Sequence, residues 1–575
     1  MSRERMGVVT GGTYSKGLMV RLDGYTSSES LQIGGFCVVE GEEYLYFSMI
    51  QDLGLHATDV GMMAIPPNLS PFMLKVLRGT STYVVAEIKP MLMVKRLAPD
   101  ELDRGKGGGF PQPVRTIPMH FAELVNARPE DYGTVFGEDT GSGKFFAMGY
   151  PLTSDMPIPI NLLRLVERSS GIFGSTGTGK SFLTRILLGG IISRGIAVNL
   201  IFDMHNEYAY GKESEEGDRV KGLKELFGPK MKVYTLDPKN RSVRADHDLA
   251  IRLDDIQKED VLSLSGELGL PSGTTESNLD ILERKLGRQW LRLFLEKEAG
   301  EVAEFAEEVG GHKGSLQALH RRLRRLKSRE YIHEHVTSDV FGQMMGYLDK
   351  GKHVILHFGK NDNALDQMIV ANMVTRRIRT LYQEKTETYQ TTNKKSDKPR
   401  PLVITIEEAH RFLNPEMAKQ TIFGTIAREL RKYYVTLLIV DQRPSGIDNE
   451  ILSQVGTRIS GKLLDERDLE AVLSGVSNRA AIRAGLASLD SKQQIMIFGH
   501  AVPMPISLRT RRYDHQFYQD VTRSTISPID VYGSQKPGNG SPPDPSSSRT
   551  INNKTSSAET EEFEGEIDML FGGNL

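Results

Sequence analysis

A single cysteine, Cys37, stands among 575 residues. No internal disulfide framework and no cysteine-rich zinc site can form within the chain. That usage fits a reducing compartment, and the chain is read as cytoplasmic. An excess of one charge sign is also missing, since 72 Lys+Arg stand against 74 Asp+Glu for a net charge of -2. A protein that coats nucleic acid through its overall field carries a basic excess. Any contact with DNA must therefore come from a local basic surface, such as a channel lining. Long apolar runs are absent as well. The best stretch, 187–202, is broken by Arg194 and by glycines, and falls short of the ~18 apolar residues of a membrane span. The opening MSRERMGVVTGG lacks the apolar core of about 7–15 residues that a signal peptide carries. No membrane contact is expected. No internal repeat recurs at a fixed period.

What is present divides into three parts. Residues 1–165 hold short β-rich runs, at 17–22, 34–40 and 44–47, bounded by Gly, Asp and Ser; they predict a small N-terminal β-barrel. Within them GKGGGFPQP, at 105–113, is too rich in Gly and Pro for a packed element and predicts a loop. From 166 to 523 apolar strands alternate with longer helical segments, the pattern of an α/β fold with a mainly parallel sheet. Strands are expected at 171–173, 197–202, 232–236, 353–357, 402–406 and 436–440. An inserted helical bundle is expected at about 249–348, where Leu316, Leu319, Leu323 and Leu326 fall at helical spacing. Residues 524–575 are rich in Ser, Pro, Gly and Asn and acidic toward their end; too few apolar groups remain to offset chain entropy, which predicts a disordered tail.

The run Gly174-Ser175-Thr176-Gly177-Thr178-Gly179-Lys180-Ser181 matches G-x-x-x-x-G-K-[ST] in full. Small residues let the backbone N–H groups wrap a phosphate. Lys180 supplies charge to the β- and γ-phosphates, and the Ser181 hydroxyl is placed to ligate Mg²⁺. An apolar strand precedes the loop. A helix follows, with Phe182, Leu183, Ile186, Leu187 and Ile191 on its apolar side, and aims its dipole at the phosphates. ATP and Mg²⁺ are the expected cofactors.

The apolar run 402–406 leads straight into Glu407-Glu408-Ala409-His410. Paired acids at the end of a buried strand are where P-loop enzymes keep Mg²⁺ and the attacking water. Glu407 is expected to hold the metal and Glu408 to polarise the water. Glu407 lies 227 residues after Lys180, far beyond a βαβ unit of about 30 residues, so the helical insert and at least one further strand intervene. The next strand ends at Gln442, which can bond the γ-phosphate; Gln442-Arg443-Pro444 also reads as a plain turn. Arg428 and Arg431 lie between these strands. A guanidinium there can neutralise charge on the transferring phosphoryl group, or simply sit on a solvated helix face. Asp203 opens a polar run to Tyr208 just past the second strand, suited to the nucleotide crevice. Arg168 can reach a phosphate or mark the barrel junction. The Arg321–325 run reads as a solvated helix face.

As a set, GSTGTGKS (174–181), DMHNEY (203–208), ITIEEAH (404–410), ARELRKY (427–433), DQRPSGID (441–448) and the closing piece 486–508 resemble the HerA family within the HerA/FtsK ATPases, over about residues 5–520. Glu407 departs from that family's Asp-Glu pair by one methylene. The resemblance implies a RecA-like P-loop core behind a small barrel. It implies an ATP-hydrolysing homo-hexamer that threads double-stranded DNA as a translocase or helicase. A NurA-like nuclease would dock on the barrel face, with end resection in DNA repair as the shared task. Arg431 would be the arginine finger, and Arg168 and Asp203 would join residues 174–182, Phe182 included, at the nucleotide. An anti-phage defence ring that organises an effector nuclease is the runner-up. From another class, the ring could be a scaffold with ATP as a structural ligand; intact Lys180, Glu408 and Gln442 argue for turnover instead.

Overall fold

A computed structural model describes residues 3–523 apart from 59–69, 78–80, 97–108, 214–218, 240–243, 337–338, 362 and 421. The tail expected at 524–575, and part of the loop expected at 105–113, lie outside the described residues.

Six strands close the N-terminal barrel in the order Gly17–Leu22, Arg5–Thr13, Glu123–Asn126, Phe36–Glu40, Tyr44–Ala57 and Thr82–Lys95. The last pairs back on the first, with Leu18 opposite Ile88, so among the described residues no open edge remains around the ring. Alternation turns Val20, Val39, Ile50, Ile88 and Leu124 into the barrel core. Cys37 joins them, and burial pushes its thiol up to about 12. That makes it an inert packing residue.

The strands Phe145–Pro151 and Ile158–Asn161 fall inside the 1–165 segment expected as barrel, yet they belong to the motor's sheet. Pro151 lies opposite Leu508 and Phe145 opposite Asn161. Packing gives the reason: Phe146, Met148, Ile158 and Ile160 are buried with the apolar face of the P-loop helix.

That sheet has twelve strands. In spatial order, His247–Asp248, Met231–Thr235, His353–His357, Val198–Asp203, Leu402–Glu407, Val435–Asp441, Ser170–Phe173 and Thr457–Ser460 run parallel. Gln494–Gly499, Ile506–Thr510, Phe145–Pro151 and Ile158–Asn161 then continue it antiparallel. The central strands are buried throughout, which is why they read as continuous apolar runs rather than alternating ones. The strand carrying the acid pair, Leu402–Glu407 (the acid strand), neighbours Val435–Asp441 (the sensor strand), which neighbours Ser170–Phe173 (the P-loop strand).

Between the strands Ile251–Arg252 and His353–His357 the chain forms a helical insert, from Lys258–Ser263 to Val340–Asp349. Its helix Lys313–Lys327 buries Leu316, Leu319, Leu323 and Leu326 and leaves Arg321, Arg324 and Arg325 exposed. Arg376, on the long helix Ala364–Thr392, grips Asp260 of the insert at 2.7 and 3.1 Å.

The barrel packs on the motor through apolar side chains, Phe47, Leu92 and Val94 sharing a buried cluster with Ile495 and Leu508, and through one close backbone approach. A Cβ added to Gly34, whose φ is +80°, would stand 3.2 Å from Gly485 Cα and 3.0 Å from Ser507 Oγ. Ser488 Oγ donates to the Ile33 carbonyl beside that contact, at 3.2 Å. Among the described residues, no helix is long and apolar enough to cross a membrane.

Candidate functional site

The P-loop strand ends at Phe173, and the helix Lys180–Arg194 begins six residues after Gly174. The turn between them depends on glycine at Gly177 and Gly179, with φ of +80° and +84°. A Cβ there would meet nothing within 4 Å, so it is the backbone conformation, not crowding, that asks for glycine. The open space beside them leaves room for a phosphate. Thr178 Oγ1 donates to the Ser175 carbonyl at 2.8 Å, and Lys180 Nζ donates to the Gly174 and Ser175 carbonyls at 2.8 and 3.0 Å. Burial lowers the Lys180 ammonium's pKa, while Glu408 and Asp441 act to raise it. Leu183, Ile186, Leu187 and Ile191 face the core as expected. Phe182 does not: it is 39 % exposed and lies against Tyr513, ring centroids 6.1 Å apart.

On the same edge of the sheet the acid and sensor strands deliver the rest. Glu408 just past the acid strand has φ of +46°, a left-handed conformation of the kind that gathers at functional sites. Gln442 links this side chain to the P-loop: its Nε2 donates to Glu408 Oε2 at 3.4 Å, and its Oε1 accepts from Thr176 Oγ1 at 2.8 Å. Lys180, Glu408, Gln442 and residues 174–181 are thus brought together. Two residues with no assigned role complete the cluster. Asp441, buried at the end of the sensor strand, accepts from the His410 backbone N–H at 2.7 Å and faces His410 Nδ1 at 3.0 Å. His410 Nδ1 is also 3.6 Å from Glu408 Oε2. The Asp441 hydrogen bond raises the imidazole's pKa against the opposing effect of burial. His410 thus bridges the Asp441 and Glu408 carboxylates. The cue in the sequence was a lone acid, Asp441, closing an otherwise apolar strand.

Glu407 is 6 % exposed. Its Oε1 accepts from the Tyr208 hydroxyl at 2.8 Å, and its Oε2 is buried with no hydrogen-bond partner. Burial, reinforced by Asp203, pushes its carboxyl up to about 8. Asp203 itself requires a correction. Its strand lies beyond the acid strand, so two strands separate it from the P-loop strand. Both its oxygens are consumed by its own loop: Oδ1 accepts from the Glu207 N–H at 2.6 Å, and Oδ2 from the Tyr208 and Ala209 N–H groups at 3.0 Å. Asp203 seats Tyr208, and Tyr208 holds Glu407; the Asp203 carboxylate is turned into its own loop.

Residues 146–378 match the family model described as "Helicase HerA, central domain". The DNA double-strand break repair helicase HerA of Sulfolobus acidocaldarius is 26% identical over 412 residues, covering 71% of this chain and 76% of that one. Its namesake from Pyrococcus furiosus is 25% identical over 391 residues, covering 62% and 68%. The chain belongs to the HerA family. It is a P-loop ATPase, and its P-loop binds nucleotide. Among solved structures, VirB4 of Thermoanaerobacter pseudethanolicus is similar at 13% identity and a TM-score of 0.43, covering 66% of this chain and 98% of that one. The bacterial conjugative coupling protein TrwB is similar at 12% and 0.41, covering 64% and 89%.

The arginines of this HerA-family chain lie elsewhere. Arg431 precedes the sensor strand Val435–Asp441, while Gln442 follows it. At about 3.3 Å per residue, that strand of seven residues separates Arg431 from its own Gln442 by roughly 23 Å. Arg168 likewise precedes the P-loop strand and, with Arg431, lines an open cleft at the opposite edge of the sheet. The four-residue strand Ser170–Phe173 thus sets Arg168 apart from the P-loop of its own chain. Arg428 is tied to Glu450 at 3.1 Å in a surface ion pair.

Proposed function

We propose that this chain is an ATP-driven translocase on double-stranded DNA that works as a homo-hexameric ring. The single observation that carries this reading is the division of the hydrolytic machinery between two edges of one sheet. Lys180, Glu408 and Gln442 stand at the carboxyl edge, and Arg431 stands with Arg168 at the amino edge. A protomer cannot close its own site, whereas a second copy beside it can.

Within that site Lys180 and the N–H groups of residues 174–181 bind the triphosphate. Glu408, oriented by Gln442 and balanced by His410, takes the proton of the attacking water. Gln442, bonded to Thr176 of the P-loop, is placed to report loss of the γ-phosphate. Mg²⁺ would be held by the Ser181 hydroxyl and by Glu407, whose buried, unpartnered Oε2 fits a cation. When bound, the ion neutralises charge on the β- and γ-phosphates. The neighbour's Arg431 supplies the guanidinium for the transferring phosphoryl group.

The named relatives are DNA double-strand break repair helicases. This supports a duplex substrate and a role in double-strand break repair, to which we assign end processing with a nuclease partner. Exposed apolar side chains on the barrel, Leu55, Phe72 and Met73 among them, offer that partner a surface away from the ATP site.

Mixed rings test the reading. Arg431→Ala protomers should assemble and bind ATP but hydrolyse it about 10³–10⁵-fold more slowly, the value of an arginine finger. Lys180→Ala protomers should be inactive alone. Mixing the two should restore turnover, stimulated by linear duplex, because intact P-loops then sit beside intact fingers. Rings shown by native mass spectrometry to be mixed, yet no more active than either parent, would remove the trans assignment.

A further inference from the structure

Glu167 closes the short helix Leu162–Glu167, immediately before Arg168 and the P-loop strand. It belongs to none of the nucleotide motifs. Its side chain is 6 % exposed, while that of Arg431, to which it is bonded, is 50 % exposed. Glu167 Oε1 accepts from Arg431 Nη2 at 2.5 Å. The other oxygen, Oε2, is occupied by His500 Nε2. His500 is itself fixed to the start of the P-loop strand through backbone: its N–H donates to the Gly456 carbonyl, and the Gly456 N–H to the Ser169 carbonyl, each at 2.8 Å. A rooted carboxylate, held on one oxygen, thus aims a half-exposed guanidinium outward with the other.

We infer that Glu167 is a positioning residue for the arginine finger: it presents the Arg431 guanidinium to the neighbouring protomer's ATP, with His500 fixing the carboxylate that does so. The proposal rests on the trans role of Arg431 proposed above. The physical case is one of freedom removed in advance. An unrestrained arginine samples many rotamers, and a charge meant for a transferring phosphoryl group helps in proportion to the time it spends in place. One bond to Nη2 fixes the direction of the planar fork and leaves Nε and Nη1 as donors for phosphate oxygens. The Glu167 charge also offsets the positive charge of Arg168, which lines the same cleft as Arg431. Because Glu167 is continuous with the P-loop strand, the finger a protomer offers is anchored to the strand that carries its own phosphate loop.

The mixed ring provides the test, because it separates the chain that donates the finger (Lys180→Ala) from the chain that hydrolyses (Arg431→Ala). Glu167→Gln is placed in one or the other. In the donor chain it should slow turnover at saturating ATP about tenfold and leave the KM for ATP unchanged. In the acceptor chain, where the finger has already gone and there is nothing to position, the rate should match the parent mixture. A donor variant at the parent rate overturns the proposal. An equal fall in both arms also overturns it, because Glu167 would then be supporting the P-loop strand. Failure of the trans reading shows earlier and separately, as a parent mixture without activity, and takes this proposal with it.

Discussion

Replacing Glu407 by glutamine should stabilise the fold while abolishing its work. The substitution is isosteric and keeps Oε1 as the acceptor for the Tyr208 hydroxyl. Burial holds the Glu407 proton to about pH 8, whereas an unperturbed glutamate releases it near 4.5. Between those values the folded chain binds one more proton than the unfolded chain, so this group's contribution to stability is full below 4.5 and is lost as pH rises through about 8. At about 1.4 kcal/mol for each pH unit, the raised pKa costs about 5 kcal/mol above pH 8 and about 3 kcal/mol at pH 7, where the folded chain must take up the proton. Glutamine carries none of this. Protonated Glu407 leaves an unpaired O–H where glutamine leaves an unpaired N–H, so the two chains should match in acid. Thermal unfolding without nucleotide or Mg²⁺, followed from pH 5 to pH 8.5, reads the difference. Glu407→Gln should melt several degrees above the parent at pH 8, with the margin shrinking steadily toward acid, and should hydrolyse ATP orders of magnitude more slowly. Equal midpoints at pH 8, or a more stable parent, would refute the assignment of Glu407 as an uncompensated buried acid.

Two further substitutions separate binding from chemistry, and a third probes the frame. Lys180→Ala should lose both turnover and nucleotide affinity, whereas Glu408→Gln should lose turnover alone and retain ATP unhydrolysed; fluorescent-nucleotide titration beside a turnover assay distinguishes them, and equal loss of affinity would remove Glu408 as the water-activating base. Arg458, 2 % exposed, donates to the Val472 and Ser474 carbonyls at 2.6 and 2.7 Å and to the Leu452 carbonyl at 2.5 Å. Arg458→Met takes the donor from the Val472 and Ser474 carbonyls, while the Leu452 carbonyl keeps the Val455 N–H, and should lower stability by about 2 kcal/mol or more, read as a shifted urea midpoint.

Much of this was legible in the chain because its signals are local. The P-loop, the acid pair and Gln442 each sit at the end of an apolar run, and a parallel strand buried on both faces announces itself by that run. The barrel's limit was not legible. The strands at 145–161 look like barrel strands because a short β segment reads alike whichever sheet accepts it, and their partner at 506–510 lies some 350 residues away. Asp203 illustrates a different loss: an acid at the carboxyl end of a strand can face a ligand or fold back on its own loop, and only the three N–H groups of residues 207–209 decide between them. Arg168 and Glu167 show a third. Neighbours in sequence, they lie at the opposite edge of the sheet from the phosphate loop that follows them, a distinction that rests on strand direction rather than on residue type.

The close approach of Gly34 to Gly485 sets what the seam between barrel and motor tolerates. Backbone meets backbone there beside Ser507, on one of the antiparallel strands, and the Met496 methyl lies 3.7 Å from where a Gly34 Cβ would stand. The φ of Gly34, +80°, already disfavours any other residue. An alanine at that position would be strained twice, once in its own backbone and once against the motor.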